Sequence, residues 1–369
     1  MQGKGNSPAL ENPLDPFNFD NKTPLCGVFF YTIPMSTILT GITTSGTPHL
    51  GNYVGAVKPA LEKIKESKKS FLFLADYHSL IKQQDPEITH KSSLEIASAW
   101  LACGLDPKET FFYRQSKVPQ IMELNWILSN TTSKGLLNRA HAYKAAQDLN
   151  SEKKASDPDK GITAGLFNYP ILMAADILIF DTDIVPVGSD QKQHIEMARD
   201  IAARFNHLYG ETFKIPEAYI SKNIPLLLGT DGRKMSKSYK NYIELFSEEK
   251  ALKKSLNRII TDSLIPGEPK ETKNSVLYNY FQAFANDTYI EEVNKMFSDG
   301  KGWGELKSDL FNLINTELKD IRSKYFYFLD NANEVEAILN KGEIQASILA
   351  EKKLVDIRSK IGIKPLDEK

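Results

Sequence analysis

Apolar and polar positions along this chain follow two rhythms, and the change comes near residue 243. From residue 36, short apolar runs alternate with stretches of helical spacing. The run "STILTGI" (36–42) reads as a buried strand. A loop rich in Gly, Ser, Thr and Pro (43–51) follows, then a helix from about Tyr53 to Ser67. "FLFLA" (71–75) is a second strand. A helix from about Ser92 to Cys103 puts Leu94, Ala97, Trp100 and Leu101 on one face, with Gly104 as its stop. "TFFYR" (110–114) is a third strand, and helices follow over 118–130, 133–149 and 165–180. The strand "DIVPV" (183–187) and a helix from Ser189 to about Leu208 close this half. Such alternation predicts an α/β fold, a Rossmann-like parallel sheet with helices on both sides. After Ile243 the strands disappear. Helical spacing over 247–260, 275–285, 289–297, 304–328 and 333–361 predicts an all-helical second domain.

Residues 1–35 differ from both regimes. They carry prolines at 8, 13, 16, 24 and 34 and no period, so an irregular N-terminal extension is expected ahead of an α/β domain (36–243) and a helical domain (244–369). The 369 residues suffice for two cores. A net charge of −1 means that any nucleic-acid partner must be met by local basic patches. The two cysteines, Cys26 and Cys103, fit no zinc spacing and no disulfide framework, which points to a reducing cytoplasm and no protein-bound metal. The longest apolar run, Ile171 to Phe180, is interrupted by Asp176 and too short to span a bilayer. Leu25 to Tyr31 lacks the flanks of a signal peptide.

Four stretches carry candidate chemistry. "TGITTSGTPHLGNYVGA" (40–56) is a Gly-rich turn between the first strand and a helix, where backbone N–H groups and the helix end face phosphates. Gly51 lets a flat base approach the backbone, and His49 can donate a hydrogen bond to a phosphate oxygen. "GRKMSKSYKNY" (232–242) gathers Arg233, Lys234, Lys237 and Lys240 around two serines on a stretch with no apolar face. It is either a solvated basic loop or a device that holds phosphates. "PVGSDQKQH" (186–194) runs from a strand end into a helix. There Asp190 either complements the helix dipole or binds ribose hydroxyls or an ammonium. In "FNYPILMAADILIF" (167–180), Tyr169, Met173, Asp176 and Phe180 form one stripe at i, i+4, i+7 and i+11. A carboxylate on that face needs a partner, either a structural basic side chain or a ligand donor.

Together these stretches resemble a known family. "TSGTPHLGNYVGA" resembles the degenerate first signature of class I aminoacyl-tRNA synthetases, and "KMSKS" (234–238) matches the second. "YPILMAADIL…DTDIVPVGSDQKQHIEMARDIAARFN" is similar to the tryptophanyl-tRNA synthetase family in particular, and the strong resemblance spans about residues 37–243. The resemblance implies activation of L-tryptophan by Mg-ATP, release of pyrophosphate, and transfer to tRNA(Trp). It implies that Lys234 and Lys237 hold the β- and γ-phosphates, with Ser236 donating and Met235 and Ser238 completing the loop. His49, Gly51 and Asn52 would cradle the adenosine and its phosphates. Gly188, Ser189 and Asp190 would meet the ribose. Tyr169 and Gln191 would meet the amino group, and Asp176 would accept the indole N–H. Met173, Val185 and Val187 would flank the ring, with His78 and Lys144 as accessory polar residues. Family members often carry Gln-Pro-Ser where this chain has Thr43-Thr44-Ser45, so the ATP contacts implied there are altered at Thr43.

Further implied are a homodimer, anticodon recognition by the helical domain, and no DNA or membrane partner. The nearest rival is a tyrosyl-tRNA synthetase. Its relatives tend to carry glutamine at the position of Met173, whereas a thioether suits the face of an indole. A small nucleotidyltransferase would lack the long helical remainder. An inactive RNA-binding paralogue would have lost Lys234, Lys237, His49 or Asp176, and all four are present.

Overall fold

β1 (Thr37–Ile42) pairs in parallel with β2 (Lys69–Leu74) along its whole length, from Thr37 opposite Lys69 to Ile42 opposite Leu74. The computed structural model describes residues 36–44, 46, 48–188, 191–220 and 226–367, so the extension expected over 1–35 lies outside the described residues. β3 (Thr110–Arg114) adds to β2, and β4 (Ile184–Pro186) adds to β1. β5 (Glu217–Tyr219) adds to β4, and all pairs are parallel in the order β3-β2-β1-β4-β5. The sequence did not announce β5. Its three residues are exposed or half-buried and carry no apolar period.

Helices connect the strands. α1 (Leu50–Asn52) follows β1 and continues through a π-helical turn (Tyr53–Val57) into α2 (Lys58–Lys65). After β2 come α3 (Asp76–Ser79) and α4 (Pro86–Ala102). α4 begins earlier than the apolar spacing suggested. Asp85 caps it, accepting from Glu87 N and Ile88 N, and Pro86 takes the first turn, where no N–H is needed. α5 (Gln120–Ser129) follows β3. The single helix expected over 133–149 is instead α6 (Lys134–Leu137) and α7 (His141–Glu152), separated because Ala140 is extended (ψ 129°). α8 (Ala164–Leu178) precedes β4 and α9 (Lys192–Tyr209) follows it. Then come α10 (Glu249–Asn257), α11 (Val276–Phe284), α12 (Asp287–Ser298), α13 (Trp303–Asp330) and α14 (Ala332–Lys360).

Side-chain alternation along β2 divides the interior in two. Phe71 and Phe73 face a core shared with Tyr113, α5, α8 and α9, while Leu72 and Leu74 face one shared with Phe112, α4 and the helices from α10 to α13. The last helix returns to the first core. Ala346, Ala350, Leu354 and Ile357 of α14 are buried there beside residues of the sheet. α14 lies against β3 so closely that a Cβ on Gly342 would meet the Phe112 carbonyl oxygen at 1.9 Å. Among the described residues, no helix is long and apolar enough to cross a membrane.

Candidate active site

Two loops that are distant in sequence meet at the carboxyl end of β1. His49 caps α1: its Nδ1 accepts from Asn52 N (3.2 Å), and Asn52 Oδ1 accepts from His49 N (3.1 Å). Nδ1 is thereby an acceptor, which leaves the ring's proton on Nε2 as a donor. Burial, reinforced by the Lys237 ammonium, pushes the pKa of His49 down to about 4, so the ring is neutral at pH 7. Leu50 N donates to Ile243 O, and Leu245 N donates to Pro48 O, which ties this turn to the chain just past the basic loop.

The basic loop itself docks on α1. Met235 is buried, and its sulfur lies 3.3 Å from Gly51 N. The Lys237 Nζ lies 3.2 Å from where a Cβ on Gly46 would stand, over the first turn. Inside the loop, Asn241 is buried and acts as a hub. Its Oδ1 accepts from Ser236 N (2.8 Å), and its Nδ2 donates to Asp231 Oδ1 (2.7 Å) and Lys234 O (3.1 Å). A Cβ on Gly229 would sit 2.2 Å from that Nδ2, so glycine is required there. Lys234, Lys237 and Ser238 themselves remain exposed.

A second set surrounds Asp176 on α8. No part of Asp176 reaches solvent. Gln115 Nε2 donates to its Oδ1 (2.8 Å) and Oδ2 (3.0 Å), and His78 Nε2 lies 2.9 Å from Oδ2. Burial raises the pKa of Asp176, opposed by His78 and Gln115, while Asp76 pushes it further up. The partner left open between a basic side chain and a ligand is thus, within the protein, an imidazole and an amide. Met173 and Val187 are half-buried against the same core as Val185. One helical turn before Met173, the Tyr169 hydroxyl bonds His194 Nε2 (2.7 Å), and His194 Nδ1 bonds Gln191 Oε1 (2.5 Å). Tyr169 and Gln191, paired by the resemblance, are therefore joined through His194. Gln191 N also donates to Gly188 O (2.9 Å).

Thr44 is fully buried, and both its N and its hydroxyl donate to Ser79 Oγ, at 2.8 and 3.0 Å. Thr43 is exposed at the end of β1, and Lys144 is exposed on α7. Ser45, Ser189 and Asp190 lie outside the described residues. Gln115, Asn241 and His194 were not singled out from the sequence. Gln115 did carry a signal, as a polar residue directly after an apolar strand, at the sheet end where α/β folds bind ligands.

The chain is similar to known proteins along most of its length. Residues 34–319 match the family described as tRNA synthetases class I (W and Y). The chain is 52% identical over 330 residues to the tryptophan–tRNA ligase of Neisseria meningitidis serogroup A, covering 89% of this chain and 98% of that one. It is 50% identical over 335 residues to the tryptophan–tRNA ligase of Pseudomonas aeruginosa, covering 90% and 75%. The crystal structure of tryptophanyl-tRNA synthetase from Campylobacter jejuni, complexed with ADP and tryptophan, superposes with a TM-score of 0.79 at 42% identity, over 88% of this chain and 99% of that one. A parallel sheet whose first turn meets a KMSKS loop, in a chain that follows such relatives nearly end to end, belongs to the class I tRNA synthetases of the tryptophan and tyrosine group.

Proposed function

We infer that this protein activates L-tryptophan with ATP and transfers it to tRNA(Trp). The observation that carries the choice of amino acid is Asp176. It is a fully buried carboxylate on the Tyr169–Met173 stripe, held by His78 and Gln115 and suited to accept the indole N–H. In the first step the tryptophan carboxylate attacks the α-phosphorus of Mg-ATP, which is the substrate, and pyrophosphate leaves. In the second, a hydroxyl of the terminal adenosine of the tRNA attacks the adenylate carbonyl and AMP leaves. Both steps call for positioning and charge stabilisation. His49, neutral and with its ring proton on Nε2, suits a phosphate oxygen without adding charge. Lys234 and Lys237 neutralise the β- and γ-phosphates, with Ser236 donating alongside, and Gly51, Asn52 and Gly188 line the nucleotide. Tyr169 and Gln191 receive the ammonium, and Met173, Val185 and Val187 flank the ring.

The reading extends to a cytoplasmic homodimer in which residues 244–369 recognise the anticodon. Pyrophosphate exchange measured across the twenty amino acids tests the inference: tryptophan should exceed tyrosine by roughly 10⁴-fold or more in kcat/KM. Exchange supported best by tyrosine would overturn it.

A further inference from the structure

Among the described residues, the donors around Asp176 leave one acceptor position open. An ionised carboxylate offers about four lone-pair sites. Gln115 Nε2 takes one on each oxygen, at 2.8 and 3.0 Å, and His78 Nε2 takes a second on Oδ2 at 2.9 Å. The site that remains is on Oδ1.

Gln115 is itself buried and its backbone is held on both sides. It opens the 3-10 turn Gln115–Lys117, directly after β3. Arg114, one residue earlier, is tied to α14. Its guanidinium donates to Glu336 at 2.9 and 2.7 Å and to Glu343 at 2.5 and 3.1 Å. Ser116, one residue later, is tied to α3. Its N donates to Asp76 Oδ1 at 3.0 Å and its hydroxyl to Asp76 Oδ2. With the backbone held on both sides, burial of the side chain and its two bonds to the carboxylate keep the Gln115 amide on Asp176. Its amide orientation is equally constrained. Nε2 faces the carboxylate although this leaves Gln115 Oε1 buried without a partner among the described residues. The reverse orientation would set one oxygen against two others.

We propose that Gln115 is a positioning residue for tryptophan recognition. It holds the Asp176 carboxylate in one orientation and aims the open lone pair of Oδ1 at the indole nitrogen. The proposal rests on Asp176 being the indole acceptor. Gln115 also favours the ionised form of Asp176. The groups facing that carboxylate are His78 and Asp76 from α3, Gln115 from the turn, and Tyr113 from β3, whose own pKa is raised by burial and by Asp176. Without the amide, burial and Asp76 leave Asp176 protonated over more of the pH range, and a protonated carboxyl is a poorer acceptor for an N–H.

Two variants test this. Gln115→Met keeps the length of the side chain and removes the donors. Gln115→Glu keeps its shape and adds a second carboxyl, so it carries the test if the first does not fold. Pyrophosphate exchange is read with tryptophan and with its benzothiophene analogue, which has sulfur in place of the ring N–H, from about pH 6 to 9. In both variants the KM for tryptophan should rise by about 10- to 100-fold, with the KM for ATP and for the analogue near wild type. In Gln115→Met the loss should shrink as pH rises, because deprotonation of Asp176 restores the acceptor, whereas in Gln115→Glu it should grow, because the second carboxyl ionises beside Asp176 and stops donating to it. A purely structural role would raise both amino-acid KM values together, and that result overturns the proposal. Asp176→Ala, which leaves no side-chain acceptor, separates the two levels. If it leaves the preference for tryptophan over the analogue intact, the acceptor reading fails and the proposal with it. If it abolishes the preference and the Gln115 variants do not, the positioning proposal alone fails.

Discussion

Cutting Asn241 back to alanine removes three hydrogen bonds from the loop that carries Lys234, Ser236 and Lys237. The bond to the Asp231 carboxylate is worth about 1.5–3 kcal/mol and each of the two neutral bonds about 0.5–1.5 kcal/mol. Water can reach Asp231 and Ser236, which are half-buried, and restores part of that. The net loss to the ordered loop is then about 2–3 kcal/mol, or roughly a 30- to 150-fold shift toward a disordered one. If the loop's ammonium groups act mainly as pyrophosphate departs, kcat falls by that factor. The KM for tryptophan should hold, because Tyr169, Asp176 and Gln191 have no bond to the loop among those described. Single-turnover adenylate formation at saturating ATP and tryptophan measures the first effect, and a titration of tryptophan measures the second. A reversed pair adds a control. Asn241→Asp alone sets two carboxylates together, and adding Asp231→Asn re-creates one donor–acceptor pair, so the double variant should recover part of the lost rate. A single-turnover rate for Asn241→Ala within about threefold of wild type, with a lowered Tm, would show that Asn241 supports the fold and not the reacting loop.

Lys237→Ala should slow activation at saturating ATP by about 10²- to 10³-fold while tryptophan binding holds, as for loss of an oxyanion-hole donor; single-turnover kinetics check it. Gly342→Ala would stabilise an exposed helix by about 1 kcal/mol, but here the new Cβ meets the Phe112 carbonyl at 1.9 Å. A net loss of about 1–3 kcal/mol is expected, and a raised Tm in calorimetry would mean that α14 stands off the strand. His49 has its pKa lowered from 6.5 to about 4 in the folded protein, so the unfolded chain binds more protons in between. Stability should therefore fall as pH drops from 6.5 toward 4. Urea midpoints across that window should fall less steeply in His49→Asn, which keeps a capping side chain.

The strands β1 to β4 were legible because apolar runs bounded by Gly, Pro and Thr leave few alternatives. Asp176 was legible for a related reason, since one carboxylate in an apolar helix must have a partner. What escaped depends on contacts made across sequence. Gln115 and Asp176 are 61 residues apart, and nothing local to "YRQSKV" names a carboxylate on another element. Asn241 looks like a loop residue until Asp231, Lys234 and Ser236 close around it. The start of α4 was available in "DPEI", where Asp85 precedes Pro86, but apolar spacing outweighed the cap. Thr44 reads as a ligand contact from the first signature, whereas its side chain is turned inward to Ser79. The return of α14 to the sheet carries no local signal, because an amphipathic helix does not specify which core it covers.

That return has a consequence for the protein's birth. Among the described strands β3 lies at one edge of the sheet, and α14 shields it: Glu343 accepts from the backbone N–H of Arg114, and Gly342 sits against the Phe112 carbonyl. The shield is made late, 218 residues of chain after the strand (332 − 114). At about 5–20 residues per second, the edge is uncovered for roughly 10–45 s of each round of translation. During that time "TFFYR" presents an aromatic edge strand to neighbouring nascent chains, the kind of surface that templates aggregation. Chains that stall before residue 332 would carry that edge permanently.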